Sequence, residues 1–176
     1  MSEERLIRQC APTLAGIKTG SLFPCPYETR EELMADVRAF NRRFAARGLC
    51  LLPMRLENGH ALLYLYRPTE LRRDLQNGLA QEILSLAGYR CGSCECCVTD
   101  LIRRLRGRAE FPHEIGLFLS YPPEDVRGFI ENRASGFKLI GCWKVYGDVD
   151  AARKKFESFE SCTHRSRGKA LDEIIQ

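Results

Sequence analysis

Four cysteines lie close together in the run Cys91-Gly92-Ser93-Cys94-Glu95-Cys96-Cys97. Four thiolates at this spacing can ligate zinc or an iron–sulfur cluster, and a C-x-x-C pair can instead cycle between thiol and disulfide. Structural zinc sites, however, usually take two ligand pairs from separate segments, and adjacent cysteines point in different directions. The sequence therefore leaves three interpretations open for Cys91, Cys94, Cys96 and Cys97: a metal centre, a redox pair or an inert cluster.

A second candidate is the pair His113-Glu114, which follows Phe111-Pro112 and precedes an apolar run. Histidine titrates near neutrality, so a His-Glu pair at the entrance of a strand can perform acid–base chemistry. The pair is not part of a helical H-E-x-x-H zinc motif, because Leu117 stands where the second histidine is needed. A histidine that hydrogen-bonds a turn is the structural alternative.

Lys18 lies in a loop of small residues that runs from Ala11 to Gly20. The loop is not a phosphate-binding P-loop, because Ile17 separates Gly16 from Lys18. Lys18, with Thr19 beside it, can still bind an anion, and a buried lysine can act as a nucleophile. Cys10 precedes the loop and is a second candidate nucleophile, with His113 as the proton shuttle. An exposed loop lysine is the alternative.

The single tryptophan stands in the run Gly141-Cys142-Trp143-Lys144-Val145-Tyr146-Gly147-Asp148. Its alternation predicts a half-buried strand, from which Trp143, Lys144 and Tyr146 line a pocket or pack the core. A different cluster, Arg103 to Arg108, crowds four arginines onto one short helix. It can form an RNA or phosphate patch, but no aromatic side chains are interleaved there to stack on bases, so a solvated basic face explains it as well.

The composition of the 176 residues is that of a globular domain, with 44 % hydrophobic and 28 % charged residues and a net charge of +4. These values exclude a collagen, a coiled coil and a disordered chain. No secretory signal and no apolar run of membrane-spanning length is visible, so we expect a cytoplasmic protein without a membrane partner. Nine cysteines, an odd number, agree with a reducing compartment better than with a disulfide framework.

Local signals predict the elements that position these residues. Thr29 and Glu32 have the spacing of a capping box, and the helix they begin carries one apolar face, made by Leu33, Val37, Phe40 and Phe44. Asn58-Gly59 between two strand-like runs predicts a β-hairpin. A helical stretch starts at Pro68-Thr69, and Asn77-Gly78 can break it in two.

The remaining elements are predicted from short apolar runs. We expect loop or short strand around Thr13 to Phe23, a basic helix from Thr99 to Arg108, and a buried strand from Ile115 to Ser120. Pro122-Pro123-Glu124-Asp125 favours the start of a helix. A strand from Lys138 to Tyr146 and a helix from Val149 to Ser161 follow. Cys50 and Cys142 lie in strand-like runs and are expected in the core.

Alternating helices and strands favour an α/β layered fold. The hairpin makes at least one strand pair antiparallel, so we expect a mixed sheet flanked by helices. No repeat, linker or low-complexity tract interrupts the chain, and we therefore predict a single domain over residues 1–176.

Four segments form a distinctive set: Cys10 to Phe23, Leu63 to Pro68, Phe111 to Val126, and Trp143 to Asp148. This set resembles the bacterial family of unknown function DUF3793, found largely in anaerobic Firmicutes. The resemblance implies no activity, but it directs attention to these segments. It also implies fewer cysteines at positions 91–97, which weakens the metal interpretation of that cluster.

The leading hypothesis is a protein that binds a small ligand or cofactor through Lys18, Thr19, His113, Glu114, Trp143, Lys144 and Tyr146, with any reaction unassigned. Polar residues at strand ends are the usual binding geometry of open α/β sheets. The alternatives are a metal-binding or thiol-redox accessory protein, with zinc or an iron–sulfur cluster at Cys91 to Cys97, and RNA binding by the basic helix. The sequence does not identify a protein partner.

Overall fold

The computed structural model describes residues 1–90, 92–107, 111–133 and 135–175. The chain divides into two compact units: the first holds Met1–Glu70 and the chain from Ser161 onward, and the second holds Leu71–Glu160. Helices flank small antiparallel sheets, which confirms the predicted α/β class. The prediction of one domain over the whole chain stays a prediction.

The first unit is built around a three-stranded sheet. Its elements are α1 (Glu3–Leu14), β1 (Gly20–Pro26), α2 (Arg30–Phe44), a 3₁₀ turn (Ala45–Arg47), β2 (Cys50–Glu57), β3 (His60–Tyr66) and, near the end of the chain, α8 (Leu171–Ile174).

The sheet has the order β1-β3-β2. Asn58 and Gly59 turn the chain between β2 and β3 with φ angles of 48° and 75°, which confirms the predicted hairpin. Every strand pair in the described part of the chain is antiparallel, so the expectation of a mixed sheet is corrected. The error arose because alternating helices and strands were taken to imply parallel strands joined by helical crossovers. Strand β3 instead lies antiparallel to both of its neighbours, β1 and β2.

Both outer strands of this sheet contain proline. Pro24 and Pro26 lie in β1, and Pro53 lies in β2, where the register with β3 shifts between Pro53 and Arg55. Proline lacks the N–H that a central strand needs, so its place in a sheet is at an edge or a bulge.

The predicted apolar face of α2 covers this sheet. Thr29 caps the helix by accepting a hydrogen bond from the Glu32 N–H at 3.2 Å. The buried side chains of the helix and the sheet form one core, which includes Leu33, Val37, Phe40, Phe44, Phe23, Leu51, Leu63 and Leu65. The predicted helix, its cap and its buried face are all confirmed.

The prediction of loop or short strand around Thr13 to Phe23 is confirmed from Ala15 onward, where a loop leads into β1, and is wrong at Thr13 and Leu14, which belong to helix α1. Thr13 lies in the last turn of this helix, and β1 begins only at Gly20. The Ser2 side chain accepts from the Arg5 N–H at 3.3 Å at the start of the helix. Pro12 dominated the sequence interpretation, but at the end of a helix its missing N–H removes only one hydrogen bond.

The second unit consists of short helices and one very small sheet. Its elements are the end of α3 (Pro68–Leu75), α4 (Gly78–Leu86), α5 (Cys94–Gly107), a 3₁₀ helix (His113–Leu119), α6 (Pro123–Asn132), β4 (Leu139–Ile140), β5 (Lys144–Val145) and most of α7 (Val149–Ser166).

Two local signals for helix boundaries in the second unit are confirmed, and the predicted start of a third helix is wrong. Asn77 separates α3 from α4, and its side-chain oxygen accepts from the N–H groups of Leu79 and Ala80 at 2.9 and 3.2 Å. Helix α6 begins at Pro123, as the Pro-Pro-Glu-Asp run predicted. Helix α5 begins at Cys94, earlier than the predicted Thr99, and Arg108 lies outside the described residues.

Two predicted strands are wrong. Ile115 to Ser120 is mostly 3₁₀ helix, in which Ile115, Leu117 and Phe118 are all buried, and such short buried runs carry no periodicity that separates strand from helix. Lys138 to Tyr146 is not one strand but the hairpin of β4 and β5. The chain turns beside Gly141, where the Phe156 ring occupies the space of a side chain, at 2.3 Å from an ideal Cβ. Cys142 in this turn is exposed rather than in the core.

Candidate functional site

The second unit contains a cleft of about 380 Å³, within the range of small-molecule sites. Most of its lining is apolar. The lining residues are Phe111, His113, Ile115, Gly116, Leu119, Tyr121, Asp125, Val126, Phe129, Ile140, Gly141, Trp143 and Lys144. Three of the residues predicted from the sequence to bind a ligand, His113, Trp143 and Lys144, therefore meet in one cavity.

His113 and Glu114 are adjacent in the 3₁₀ helix, but their side chains lie in different surroundings. His113 is exposed and lines the cleft, with its ring edge-on to Phe129 at 5.0 Å between ring centroids. Glu114 is 7 % exposed, and its nearest ion-pair partner is Arg104, whose Nη1 lies 3.8 Å from Oε1 of the carboxylate. The His113 imidazole therefore lines the cleft, whereas the Glu114 carboxylate does not.

Glu114 belongs to a buried group with Arg104 and Tyr89. The Arg104 guanidinium lies over the Tyr89 ring at 4.3 Å and donates to the Ala87 carbonyl at 2.5 Å. Burial, and then the nearby Glu114 carboxylate, raise the pKa of the Tyr89 hydroxyl above its usual range. These contacts hold α5 against the chain that follows α4, which is a structural role for Glu114.

Trp143 is fixed by a buried carboxylate. Its indole Nε1 donates to Asp125 Oδ2 at 2.7 Å, and Asp125 is only 3 % exposed. The indole also stacks on Tyr121 at 4.8 Å and meets the Phe156 ring edge-on at 4.5 Å. The tryptophan therefore presents a rigid wall to the cleft and has its polar atom already engaged.

Asp125 also holds the backbone that follows β5. Its Oδ1 accepts from the N–H groups of Tyr146 and Gly147, both at 2.7 Å. The Tyr146 ring packs directly on Gly128, where an ideal Cβ would lie 2.4 Å from it. Tyr146, predicted to bind a ligand, is thus placed by its backbone and packs on α6, and it is not among the residues that line the cleft.

The sequence interpretation did not assign Asp125 a role in the site. The available signal was an acid in the first turn of a helix that follows two prolines, and this was interpreted as an interaction with the helix dipole. Instead the carboxylate joins α6 to the segment from Trp143 to Gly147. Nothing in the local pattern indicates that connection, because its partners are 18 to 22 residues away.

Lys144 supplies the positive charge of the cleft. Its Nζ lies 5.0 Å from the centroid of the Phe137 ring and 5.8 Å from that of Phe129. Ammonium groups are attracted to aromatic faces at these distances. Among the described lining residues Asp125 is the one carboxylate, and its two oxygens already accept three N–H groups.

Lys18 and Thr19 belong to the first unit, in the loop after α1. The loop is held through its backbone: the Lys18 N–H donates to the Pro12 carbonyl at 3.1 Å, and the Thr19 carbonyl accepts from the Arg67 N–H at 2.9 Å. The Arg67 side chain donates to the carbonyls of Thr13 and Leu14 at 2.8 and 2.6 Å. Arg67 therefore closes the C-terminal end of α1, a role that the sequence did not reveal.

Cys10 has the properties of a core thiol. It is fully buried in the core of the first unit, and burial raises its pKa far above the usual range, although the nearby Lys18 charge partly opposes this. A nucleophilic cysteine needs a thiolate, which this environment disfavours. The predicted catalytic set of Cys10, Lys18, His113 and Glu114 stays a prediction.

The cysteine run begins α5. Cys94 and Cys97 are buried one turn apart and Cys96 is half-buried, while Cys91 lies outside the described residues. Burial, and then the Glu95 carboxylate, raise the pKa of Cys94 to about 11, so it remains a thiol at neutral pH. Within the described ranges, no group of three or more Cys, His, Asp or Glu is arranged to hold a metal ion.

The arginines of α5 are largely engaged with the protein itself. Arg103 lies 3.1 Å from the Asp100 carboxylate, which also binds Arg90 at 2.9 Å, and Arg104 is directed inward as described above. These pairs lower the charge that the helix offers to a phosphate backbone, and RNA binding by the helix stays a prediction.

A family model described as "Protein of unknown function (DUF3793)" matches residues 6–173. The chain belongs to the DUF3793 family. The match includes most of both units of this family member. It confirms the resemblance to DUF3793 that the four sequence segments indicated. No curated protein and no solved structure shows significant similarity to the chain.

The four segments that carry the family resemblance meet in pairs. In the first unit, Cys10 to Phe23 and Leu63 to Pro68 are joined through Arg67. In the second unit, Phe111 to Val126 and Trp143 to Asp148 are joined through Asp125 and form most of the cleft. In the part of the chain that the structure describes, no helix has both the length and the apolar character to cross a membrane.

Proposed function

We propose that this DUF3793 protein binds a small ligand in the cleft of its second unit, and that it does so in the cytoplasm. The observation that carries the proposal is the cleft itself: about 380 Å³ with largely apolar walls and a few polar side chains, His113 and Lys144 among them. Small-molecule sites typically combine an apolar lining with a few placed polar groups.

The arrangement of the walls supports binding further. Trp143 is locked by Asp125, Tyr121 and Phe156, so a bound molecule meets a surface that needs no reordering. Preorganised surfaces bind more tightly because fewer side chains lose freedom on association. Phe111 and Ile140 are 44 % and 63 % exposed at this cavity, and a ligand that covers them removes apolar surface from water.

The test uses the uncharged fluorescent probe N-phenyl-1-naphthylamine. Trp143 is the only tryptophan of the chain, so its emission reports on the cleft alone. We expect saturable probe binding, with loss of Trp143 emission and a matching rise in probe emission. Absence of saturable binding contradicts the proposal.

Two variants locate the probe. Ile140→Asn changes an exposed side chain that lines the cleft, whereas Leu86→Asn changes an aliphatic side chain on α4 that is also exposed, by 81 %, but does not line it. We expect Ile140→Asn to weaken probe binding about fivefold, as loss of roughly 1 kcal/mol of apolar contact implies, and Leu86→Asn to leave it unchanged. Equal effects of the two substitutions place the probe elsewhere.

A further inference from the structure

We propose that the ligand of this cleft is a planar aromatic monocarboxylate. The inference rests on the proposed function and specifies its ligand class. The ring system is held against the aromatic walls of the cleft, and the carboxylate lies at the Lys144 ammonium.

The walls favour a flat, unsaturated molecule. Phe129, with His113 against it, and the stacked pair of Tyr121 and Trp143 contribute aromatic side chains to the lining. Offset stacking and edge contacts between rings add to the gain from apolar burial. A volume of about 380 Å³ accommodates a one- or two-ring molecule of this kind.

The charges of the cleft favour an anion. Lys144 places an ammonium within 5.8 Å of the centre of the Phe129 ring, which is itself a wall of the cavity. A cationic ligand would compete with this ammonium for the same aromatic faces and be repelled by it. The Asp125 carboxylate retains its charge, but it is 3 % exposed and both of its oxygens are directed at the indole and backbone N–H groups, so a ligand in the cleft contacts the Lys144 ammonium and not these oxygens.

The number of charges favours one carboxylate over a phosphate. Among the described lining residues Lys144 is the one permanent cation, and none is an arginine. A phosphate carries close to two negative charges and several acceptor oxygens, and most of these would face apolar walls without donors. A single carboxylate matches one ammonium, with the His113 imidazole as a second donor on the same surface.

The test compares three ligands that share one ring system: 2-naphthoate, the uncharged 2-naphthamide and the cation 2-naphthylmethylammonium. Isothermal titration calorimetry on the wild-type protein gives the three dissociation constants without any variant. We expect 2-naphthoate to bind about fivefold more tightly than the amide, the upper range for a partly exposed ion pair, and the cation to bind most weakly. Added NaCl should reduce the preference for the anion, because salt screens the pair.

The variant Lys144→Met tests whether Lys144 causes the preference for the anion. Lys154→Met, which changes an exposed lysine of α7, is the matched control. We expect the naphthoate preference to disappear in Lys144→Met and to persist in Lys154→Met, while N-phenyl-1-naphthylamine binds all three proteins and shows that they are folded.

The outcomes separate the two proposals. Equal affinity for naphthoate and naphthamide, or a preference that survives Lys144→Met, overturns the ligand class and leaves the small-ligand function standing. If neither the naphthyl compounds nor N-phenyl-1-naphthylamine bind, the proposed ligand class and the proposed function are both wrong.

Discussion

The two units of this chain are held together in different ways. In the first, three strands pair over most of their length and a continuous apolar core lies between the sheet and its helices. In the second, the two strands have two residues each, and buried apolar side chains of the short helices supply much of the interior, with one cluster around Trp143 and Val145. Here the buried carboxylate of Asp125 binds a segment 18 to 22 residues away, and that of Asp100 binds Arg90, 10 residues earlier in the chain.

The difference bears on the walls of the cleft in the second unit, which short helices and the small hairpin form. A sheet covered by helices leaves little unfilled space, because its side chains interdigitate over the whole face. Short elements joined at a few points can leave a gap between them, and the joining side chains fix its walls. We therefore expect packing changes to dominate the stability of the first unit, and polar changes at Asp125 to dominate the shape of the second.

The largest expected effect is in the sheet of the first unit. Leu63 is fully buried in the central strand β3, so Leu63→Ala should lower the free energy of unfolding by about 2–5 kcal/mol, as large-to-small core changes do. Urea denaturation followed by far-UV circular dichroism measures the loss. Leu62→Ala, on the other face of the same strand and only half-buried, should cost clearly less. Equal losses would contradict the assigned core face.

The next effect tests the carboxylate of the second unit. Asp125→Asn keeps the shape of the side chain but replaces one carboxylate oxygen, which accepts from an N–H group, with an amide NH₂. The free energy of unfolding should therefore fall by about 2 kcal/mol. Trp143 emission should shift towards the red as the indole is released, and probe binding should weaken. Glu124→Gln, the exposed neighbour on α6, should change neither quantity. An unchanged Trp143 spectrum in Asp125→Asn would show that the carboxylate does not fix this wall.

Arg67 is the corresponding polar connection of the first unit, but the core around it is larger. Arg67→Lys retains the charge and loses the forked donation to the Thr13 and Leu14 carbonyls, so it should cost about 1 kcal/mol. Thermal denaturation measures the change against Arg38→Lys, an exposed arginine on α2. If Arg67→Lys destabilises the protein more than Asp125→Asn does, the proposed contrast between the units is wrong.

The smallest effect is the pH dependence of a surface pair. Arg43 donates to Asp172 and holds the pKa of that carboxyl below its ordinary value of 3.8. A carboxyl whose pKa is lower in the folded state than in the unfolded state stabilises the protein at pH values above the unfolded-state pKa. This stabilisation is lost as the pH falls through the folded-state pKa. The small stability difference between wild type and Asp172→Asn should therefore be present at neutral pH and vanish in acid. A difference that grows on acidification would contradict it.

Elements with local signals were predictable from the sequence. The Thr29 cap, the Asn58-Gly59 turn and the Asn77 break each depend on residues within a few positions, and each is confirmed. Of the seven residues expected to bind a ligand, His113, Trp143 and Lys144 line one cleft, and the binding role of the set stays a prediction.

What failed depended on contacts distant in sequence. The strand expected through Gly141 is interrupted because Phe156 packs there, and no local pattern shows this. The local pattern likewise does not show that Arg104 lies beside Glu114 in the interior. Helix α1 is the exception: its buried residues Leu6, Ile7, Cys10 and Leu14 follow helical spacing, and the prolines and glycines nearby were given too much weight.

The prolines of the outer strands have a consequence for the protein at high concentration. An exposed strand edge can recruit a strand from a second molecule and begin edge-to-edge aggregation. Pro24 and Pro26 remove two N–H donors from β1, and Pro53 with the adjacent register shift interrupts β2. The three-stranded sheet is thereby protected at both edges against growth into an intermolecular β-structure.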